Sequence, residues 1–458
     1  MNDMEETKNT AGLLSAEEMS AADKCMKFAL EHGARKVRIT LNKSCMDLFG
    51  MLNGELDKVA HALDRSISLS LFVDGRFGTF SSNRISDKEL EDFILKAIDT
   101  VKMLAPDTAR DLPSPDRTAR DAMTGREAGL YDAGYEKLDA GTRLKIAEKS
   151  SSFRRRQELE HGFTLISEEG EYSDSVFDCY LIDSNGLKCR HTETSFEIGY
   201  EATVADAEGN RYSGYWWDAS PESDKLRADE CSATAIARAA AQIGPKHHDG
   251  GKMNMVVDSE VASKLVNPLL NALNAYSIQQ KNSFLTDRLG EKVFSENLSI
   301  IDMPRCPGVI GSRFFDSEGV ATHESPIIDK GRVSRYFVNT YMANKMGIDP
   351  TVEESTRATV LPFGGCRTRD ELLQKVGSGI LVCGFNGGNS NSSTGDFSYG
   401  IEGFLFENGR ILHPVREMVI TGNFITLWSN LLATADDARS CMAKRIPSLA
   451  FGSVDIRG

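Results

Sequence analysis

The chain lacks three things whose absence removes whole classes of function: paired cysteines, a long apolar run and a surplus of basic charge. Its nine cysteines are an odd number, scattered over 458 residues with no C-x-x-C spacing. That pattern predicts reduced thiols in a cytoplasmic protein rather than a disulfide framework or a cysteine-rich zinc site. No stretch approaches the roughly 18 apolar residues that would span a membrane. The acidic start, Met1 to Glu6, has no apolar segment of the secretory kind. Lys and Arg number 53 against 67 Asp and Glu, a net charge of −14. This opposes direct nucleic-acid binding, which needs clustered cations on phosphates. The one basic cluster, Arg154-Arg155-Arg156, is followed by Glu158 and Glu160 and reads as a solvated helix face.

Catalytic signatures are also missing. No Gly-x-Gly-x-x-Gly follows a strand and opens a helix, and there is no Gly-x-Ser-x-Gly elbow. His323-Glu324 begins like a zinc HExxH, but Pro326 stands where the helix should run and Ile327 where the second His should be. His247-His248 sit side by side in a Gly-flanked linker with no third ligand near in sequence. Cys366 and Cys441 are candidate nucleophiles without an assignable His, and buried inert thiols are the default.

What is present describes a globular protein of two or three domains, 40% hydrophobic and 26% charged. The expected class is α+β: N-terminal units of helices packed on antiparallel sheet, then a mainly antiparallel β domain with a few helices. The boundaries are 1–104 for a first α+β unit, 105–129 for a linker, 130–245 for a second unit and 246–458 for the β-rich domain. Capping boxes at Ser15–Glu18 and Ser86–Glu89 open helices. The first has Met19, Ala22, Met26, Ala29 and Leu30 inward and Gly33 past its end. Alternation predicts strands at 37–41 and 66–73, and 47–52, 56–63 and 77–80 read as strands beside them. In the second unit a helix near 138–155 precedes strands at 163–167, 175–182, 187–205 and 210–217, then a helix over 224–243. In the Trp216-Trp217 pair one ring must face outward. The last domain opens with a strand at 253–257 and a helix near 260–276. Later come strands at 320–328, 332–337, 379–383, 404–406 and 411–420, and helices at 340–345 and 424–432.

Gly384–Gly403 (GFNGGNSNSSTGDFSYGIEG) stands out as a long Gly-, Asn- and Ser-rich loop between strands, without Pro, Lys or Arg. Gly387-Gly388 would cradle an anion only with a cation or helix N-terminus nearby, and the loop offers Asp396 and Glu402 instead. Freed backbone groups suit an extended peptide better, and a plain hairpin loop is the bland alternative.

The C-terminal third resembles the TldD/PmbA family, the TldD/TldE metalloproteases or modulators of DNA gyrase. The residues that carry the resemblance are Phe315 to Thr322, Ser283-Phe284-Leu285, Leu289-Gly290, Asp329-Lys330-Gly331, Gly387 to Phe397, Glu407 to Arg410, His413-Pro414-Val415 and Thr421-Gly422-Asn423. In the TldD branch a helix carries HExxxH and a later Cys completes a zinc site. The matching helix here, near Val261–Tyr276, has neither His nor Glu, and Asn, Pro and Leu cannot replace ligands at about 2.0–2.3 Å. Cys441 lies in the region of the metal Cys, but a lone thiolate does not hold zinc.

The resemblance therefore implies the PmbA/TldE branch, with no catalytic or metal residue and no cofactor in this chain. Zinc would belong to a TldD-type partner in a heterodimer that cuts unfolded peptides, in peptide-antibiotic maturation and antitoxin proteolysis. The alternative is a stand-alone homodimeric regulator linked to DNA gyrase, and a third is a cysteine-dependent enzyme. On the first reading Gly387, Gly388, Asn389, Thr394, Gly395, Asp396 and Phe397 line a peptide channel or rim a subunit interface.

Overall fold

The computed structural model describes residues 12–84, 87–153 and 162–458. Met1 to Glu6, Ser86 of the second capping box and Arg154-Arg155-Arg156 lie outside the described residues. The chain divides into two compact units. One runs to Ala240 and takes in Arg305–Thr322; the other holds Ala241–Pro304 and His323–Gly458. The architecture is α+β, with a mainly β C-terminal region.

The first unit contains α1 (Ala16–Glu31), β1 (Lys36–Leu52), β2 (Glu55–Val73), β3 (Arg76–Ser82) and α2 (Asp87–Met103). After α3 (Thr124–Glu127) and α4 (Ala140–Ser150) come β4 (Thr164–Asp183), β5 (Lys188–Ala205), β6 (Arg211–Ser220) and α5 (Cys231–Ala240). The Ser15 capping box forms as expected, with Ser15 Oγ accepting from Glu18 N and Glu18 reaching back. Ala21, Ala22, Cys25 and Ala29 make the inner face of α1, while Leu30 is 38% exposed rather than buried.

The two meanders are not separate sheets. They join through β1 and β4 in one antiparallel sheet of order β3-β2-β1-β4-β5-β6. The short strands expected at 37–41 and 47–52, at 56–63 and 66–73, and at 163–167 and 175–182 are in each case one continuous strand. Polar residues broke the alternation without breaking the hydrogen-bond ladder. The sheet packs on α1 and α2 through Ile39, Leu41, Leu69 and Leu71 on its side and Ile94, Ile98 and Val101 on theirs. Residues 105–129 are ordered, with Leu112 and Ala119 buried, and Ala119 N donates to Gly319 O (2.9 Å). The helix expected over 224–243 is confined to α5, which buries Cys231, Ala235, Ile236 and Ala239 and is preceded by two 3₁₀ turns. Trp216 and Trp217 are both half-buried, with Arg238 over the Trp216 ring.

The second unit opens with β7 (Gly250–Val257), α6 (Ser263–Ala272) and α7 (Ala275–Gln279). Then come β8 (Ile300–Asp302), β9 (Ser325–Asp329), β10 (Arg332–Val333), α8 (Thr340–Met346) and β11 (Ala358–Val360). The rest is α9 (Arg369–Val376), β12 (Gly379–Ser390), β13 (Asp396–Glu407), β14 (Arg410–Asn423), α10 (Phe424–Ser429), β15 (Leu431–Thr434) and β16 (Leu449–Arg457). The strands expected at 320–328 and 332–337 shrink to β9 and β10, and residues 320–322 belong to the first unit.

A small sheet has the order β10-β9-β8-β11, and a larger one β14-β13-β12-β7-β16-β15. Val419–Thr421 also pair with Asp455–Arg457, which joins β14 to β16 and closes the larger sheet on itself. Val256 and Leu381 pack with Leu372 and Leu373 of α9. Their neighbours Met255, Val257, Ile380 and Val382 are also fully buried, so β7 and β12, a parallel pair, are covered on both faces.

Candidate functional site

Residues 384–403 are mostly strand rather than loop. β12 reaches Ser390 and β13 begins at Asp396, which leaves Asn391–Gly395 as a turn. The glycines that gave this stretch the look of a loop are places where two backbones crowd. A Cβ on Gly403 would stand 1.8 Å from Leu381 O, one on Gly400 2.2 Å from Asn386 O, and one on Gly388 2.1 Å from Ser398 O. Register breaks at Val382/Gly384 and Asn386/Asn389 mark bulges, and Gly387 and Gly388 take φ of 72° and 90° to make the second.

The turn is closed by side chains. Asn391 Oδ1 accepts from Ser393 N (2.9 Å), and Gly395 N donates to Asn391 O (2.8 Å). Thr394 Oγ1 donates to Asp396 Oδ2 (2.7 Å). Asn423 Nδ2 donates to both Thr394 O (2.8 Å) and Asp396 Oδ1 (2.9 Å). The bonds from Asn423 and Thr394 hold the Asp396 carboxyl below the usual carboxylate range. Behind the turn, Ser393 and Ser392 donate to Asn282, and Phe284 N donates to Ser392 O (2.9 Å). Phe397 stacks between Phe424 and Tyr399, with centroids 4.8 and 5.5 Å away.

The seven candidate residues thus divide. Gly387, Gly388, Asn389, Thr394 and Asp396 are exposed, whereas Gly395 and Phe397 are buried beneath them. Asn389 and Asp396 border an open depression of about 580 Å³, whose rim of Asn and Ser offers amides and hydroxyls but no cation. It can hydrogen-bond an extended chain, and it holds no nucleophile–base pair. Two residues at this site, Asn282 and Asn423, escaped the sequence reading as site residues. Both adjoin or belong to the quoted motifs, Ser283-Phe284-Leu285 and Thr421-Gly422-Asn423, which the fold brings together here.

The helix that would bear HExxxH is α6 followed by α7, broken where Asn274 caps α7. Leu265, Val266, Leu269 and Leu270 of α6 are buried. Lys444 Nζ donates to Asn267 (2.9 Å), and Arg439 holds Glu260 in contacts of 2.7 and 2.8 Å. Cations at these positions do not suit zinc, and Cys441 is buried near them in sequence. Cys366 is buried too. His323 and Glu324 are exposed and non-helical. His247 bonds to Asp249 (3.0 Å), and His248 Nδ1 accepts from Gly250 N (2.9 Å).

Among the described residues, one mixed group has metal-ligand spacing: Cys45, Asp47 and His61 in the first unit. Its polar atoms already have protein partners, His61 with Asp47 (2.9 Å) and Asp47 with Arg143 (3.2 Å). Burial pushes the Cys45 thiol up, away from the thiolate a metal needs. No helix is long and apolar enough to cross a membrane, among the described residues.

Three family profiles match in chain order: PmbA/TldA metallopeptidase domain 1 over residues 41–101, the central domain over 136–243 and the C-terminal domain over 250–458. A metalloprotease PmbA homolog of Haemophilus influenzae is 26% identical, over 99% of this chain and 100% of its own. A solved structure from Bacteroides thetaiotaomicron, of a candidate modulator of DNA gyrase, is 39% identical with a TM-score of 0.92, covering 97% of this chain and 100% of that one. The fold is also that of TldE from Thermococcus kodakarensis, with a TM-score of 0.83 at 16% identity over 96% and 100% of the two chains. The chain belongs to the PmbA/TldD metallopeptidase family.

Proposed function

We propose that this chain is the non-catalytic, PmbA/TldE-type subunit of a cytoplasmic zinc metallopeptidase that cuts unfolded peptides. A TldD-type partner supplies the zinc and the water-activating Glu. The observation that carries this reading is the state of α6. Where the sister branch has its ligand helix, this chain has a buried aliphatic face, with Lys444 and Arg439 bonded at Asn267 and Glu260. The polar hairpin end at Asn389–Asp396 then serves the peptide path or the subunit rim. A net charge of −14 favours protein partners over DNA, so a modulator role toward gyrase would run through proteolysis.

Co-expression with the HExxxH paralogue of the same genome tests the proposal. The expected result is a co-purifying complex that cleaves an unfolded peptide neither chain cleaves alone, with zinc in the paralogue. Asn389→Lys in this chain lowers kcat/KM of the complex several-fold with assembly unchanged where the hairpin end serves the peptide path, and weakens association where it serves the subunit rim. Stoichiometric zinc in this chain alone, or failure of the two to associate, overturns the reading.

A further inference from the structure

Strand β2 is paired on its inner edge along its length, from Glu55 to Phe72 against β1. On its outer edge β3 covers only Ile67–Val73. Among the described residues no strand lies beyond Lys58–Asp64, which leaves an open row of ladder groups. Such edges are commonly blunted by proline, by a bulge, by shortness or by charged side chains, Lys above all; here the charges, Lys58 and Asp64, are of opposite sign. This stretch contains no proline and keeps unbroken register with β1 from Lys58 through Asp64. It also presents aliphatic side chains: Val59 is 57% exposed and Leu63 55%.

Laid antiparallel on itself about His61, the stretch Lys58-Val59-Ala60-His61-Ala62-Leu63-Asp64 is self-complementary. Lys58 falls opposite Asp64, Val59 opposite Leu63 and Ala60 opposite Ala62. Because side chains alternate, both Lys–Asp pairs lie on one face with the alanines between them. Both Val–Leu pairs lie on the other face, on either side of the histidines. Neighbouring two-fold registers lose this match. Centred on Ala60, Lys58 meets Ala62 and Val59 meets His61; centred on Ala62, Asp64 meets Ala60. Neither Lys58 nor Asp64 has an ion-pair partner among the described residues, so both charges are available.

We propose that β2 pairs antiparallel with β2 of a second copy of this chain along Lys58–Asp64, with His61 opposite His61 at the two-fold axis. The six-stranded sheets of the two copies then run on as one. The contact is isologous, so each pair occurs twice and the assembly closes as a dimer. Cross-strand charge and aliphatic pairs set its register. It involves neither α6 nor the β12–β13 end, and it stands or falls independently of the peptidase reading.

Sedimentation of the full chain over a concentration series provides the test. The expected result is a reversible dimer. Lys58→Asp turns two attractive pairs into two repulsive ones and raises the dissociation constant by about tenfold or more. Asp64→Lys does the same. Both sites are exposed, and circular dichroism melting checks that the fold is unchanged. Mixing the two single variants restores dimers, because Asp at 58 of one copy then faces Lys at 64 of the other; the double variant restores them as well. A chain that stays monomeric throughout the series overturns the proposal. So does a dimer that Lys58→Asp leaves unweakened, or single variants whose mixture stays monomeric.

Discussion

The β1–β2 and β12–β13 hairpins are both long and both exposed toward their ends, yet they are held by opposite chemistry. Beside β1–β2 lies a buried charge network. Arg143 on α4, its side chain 6% exposed, forms a bidentate pair with Asp174 (2.7 and 2.9 Å) and reaches Asp47 of β1 (3.2 Å). Burial opposes the guanidinium charge, but the bonds and charge of Asp174, then the charge of Asp47, outweigh it and push the Arg143 pKa up. The β12–β13 end is held in water by neutral amides and hydroxyls, with Asp396 as the one charge in its turn. A buried ion pair fixes a strand rigidly and fails badly when one partner is lost. An exposed amide network yields in small steps and leaves polar groups on its rim for a ligand.

The largest break in this contrast is Arg143→Ala. It leaves the Asp174 carboxylate buried without its cation, and about 3–5 kcal/mol of first-unit stability is expected to go. Calorimetry should show the first unit's transition falling while the second unit's stays. An unchanged first transition would mean that the network is decorative.

Next comes Gly388→Val, which meets Ser398 O and a left-handed backbone at once and is expected to cost about 2–4 kcal/mol in the second unit. Gly387→Ala, with no atom within 4 Å of its Cβ, should cost only about 1 kcal/mol, for its φ of 72°. Equal thermal shifts for the two variants would refute the crowding argument.

A smaller effect than that of Gly388→Val is expected of Asn423→Ala, which removes two donations to the turn and the cap on Ile425 N, at about 1–2 kcal/mol. It should also move the Asp396 titration, followed by NMR, back toward the ordinary range. Since the folded pKa of Asp396 lies below its unfolded value, its contribution is complete above about pH 4 and is lost as pH falls through the folded value. If Asp396 titrates alike in the variant and the parent chain, the hydrogen-bond account of its shift is wrong.

These positions also show how far the residues could be read unaided. The Ser15 cap and the alternation of Ser66–Val73 were legible because the one is a local contact and the other a two-residue period. The continuity of β1 through Lys43 and Ser44 was not. Those polar residues stay in the ladder because β2 and β4 flank them on both sides. In the Gly384–Gly403 stretch composition misled: glycine marks a free backbone and a crowded one alike, and only the neighbouring strand distinguishes them. β8, β11 and β15 went unread because they are short, and α9 and β16 because they gain their order from partners remote in the chain.

Residue order alone settled the class of this protein, its acidic charge, its scattered thiols and the lack of metal donors in α6, since these depend on identity and near spacing. Tertiary structure decided the rest. It joined the two meanders through β1 and β4, closed β14 onto β16, and gathered Asn282, Thr394, Asp396 and Asn423 at one turn. Each of these is a pairing between residues far apart in the chain, and its register is chosen by which faces must be buried. Short-range periodicity does not contain that information.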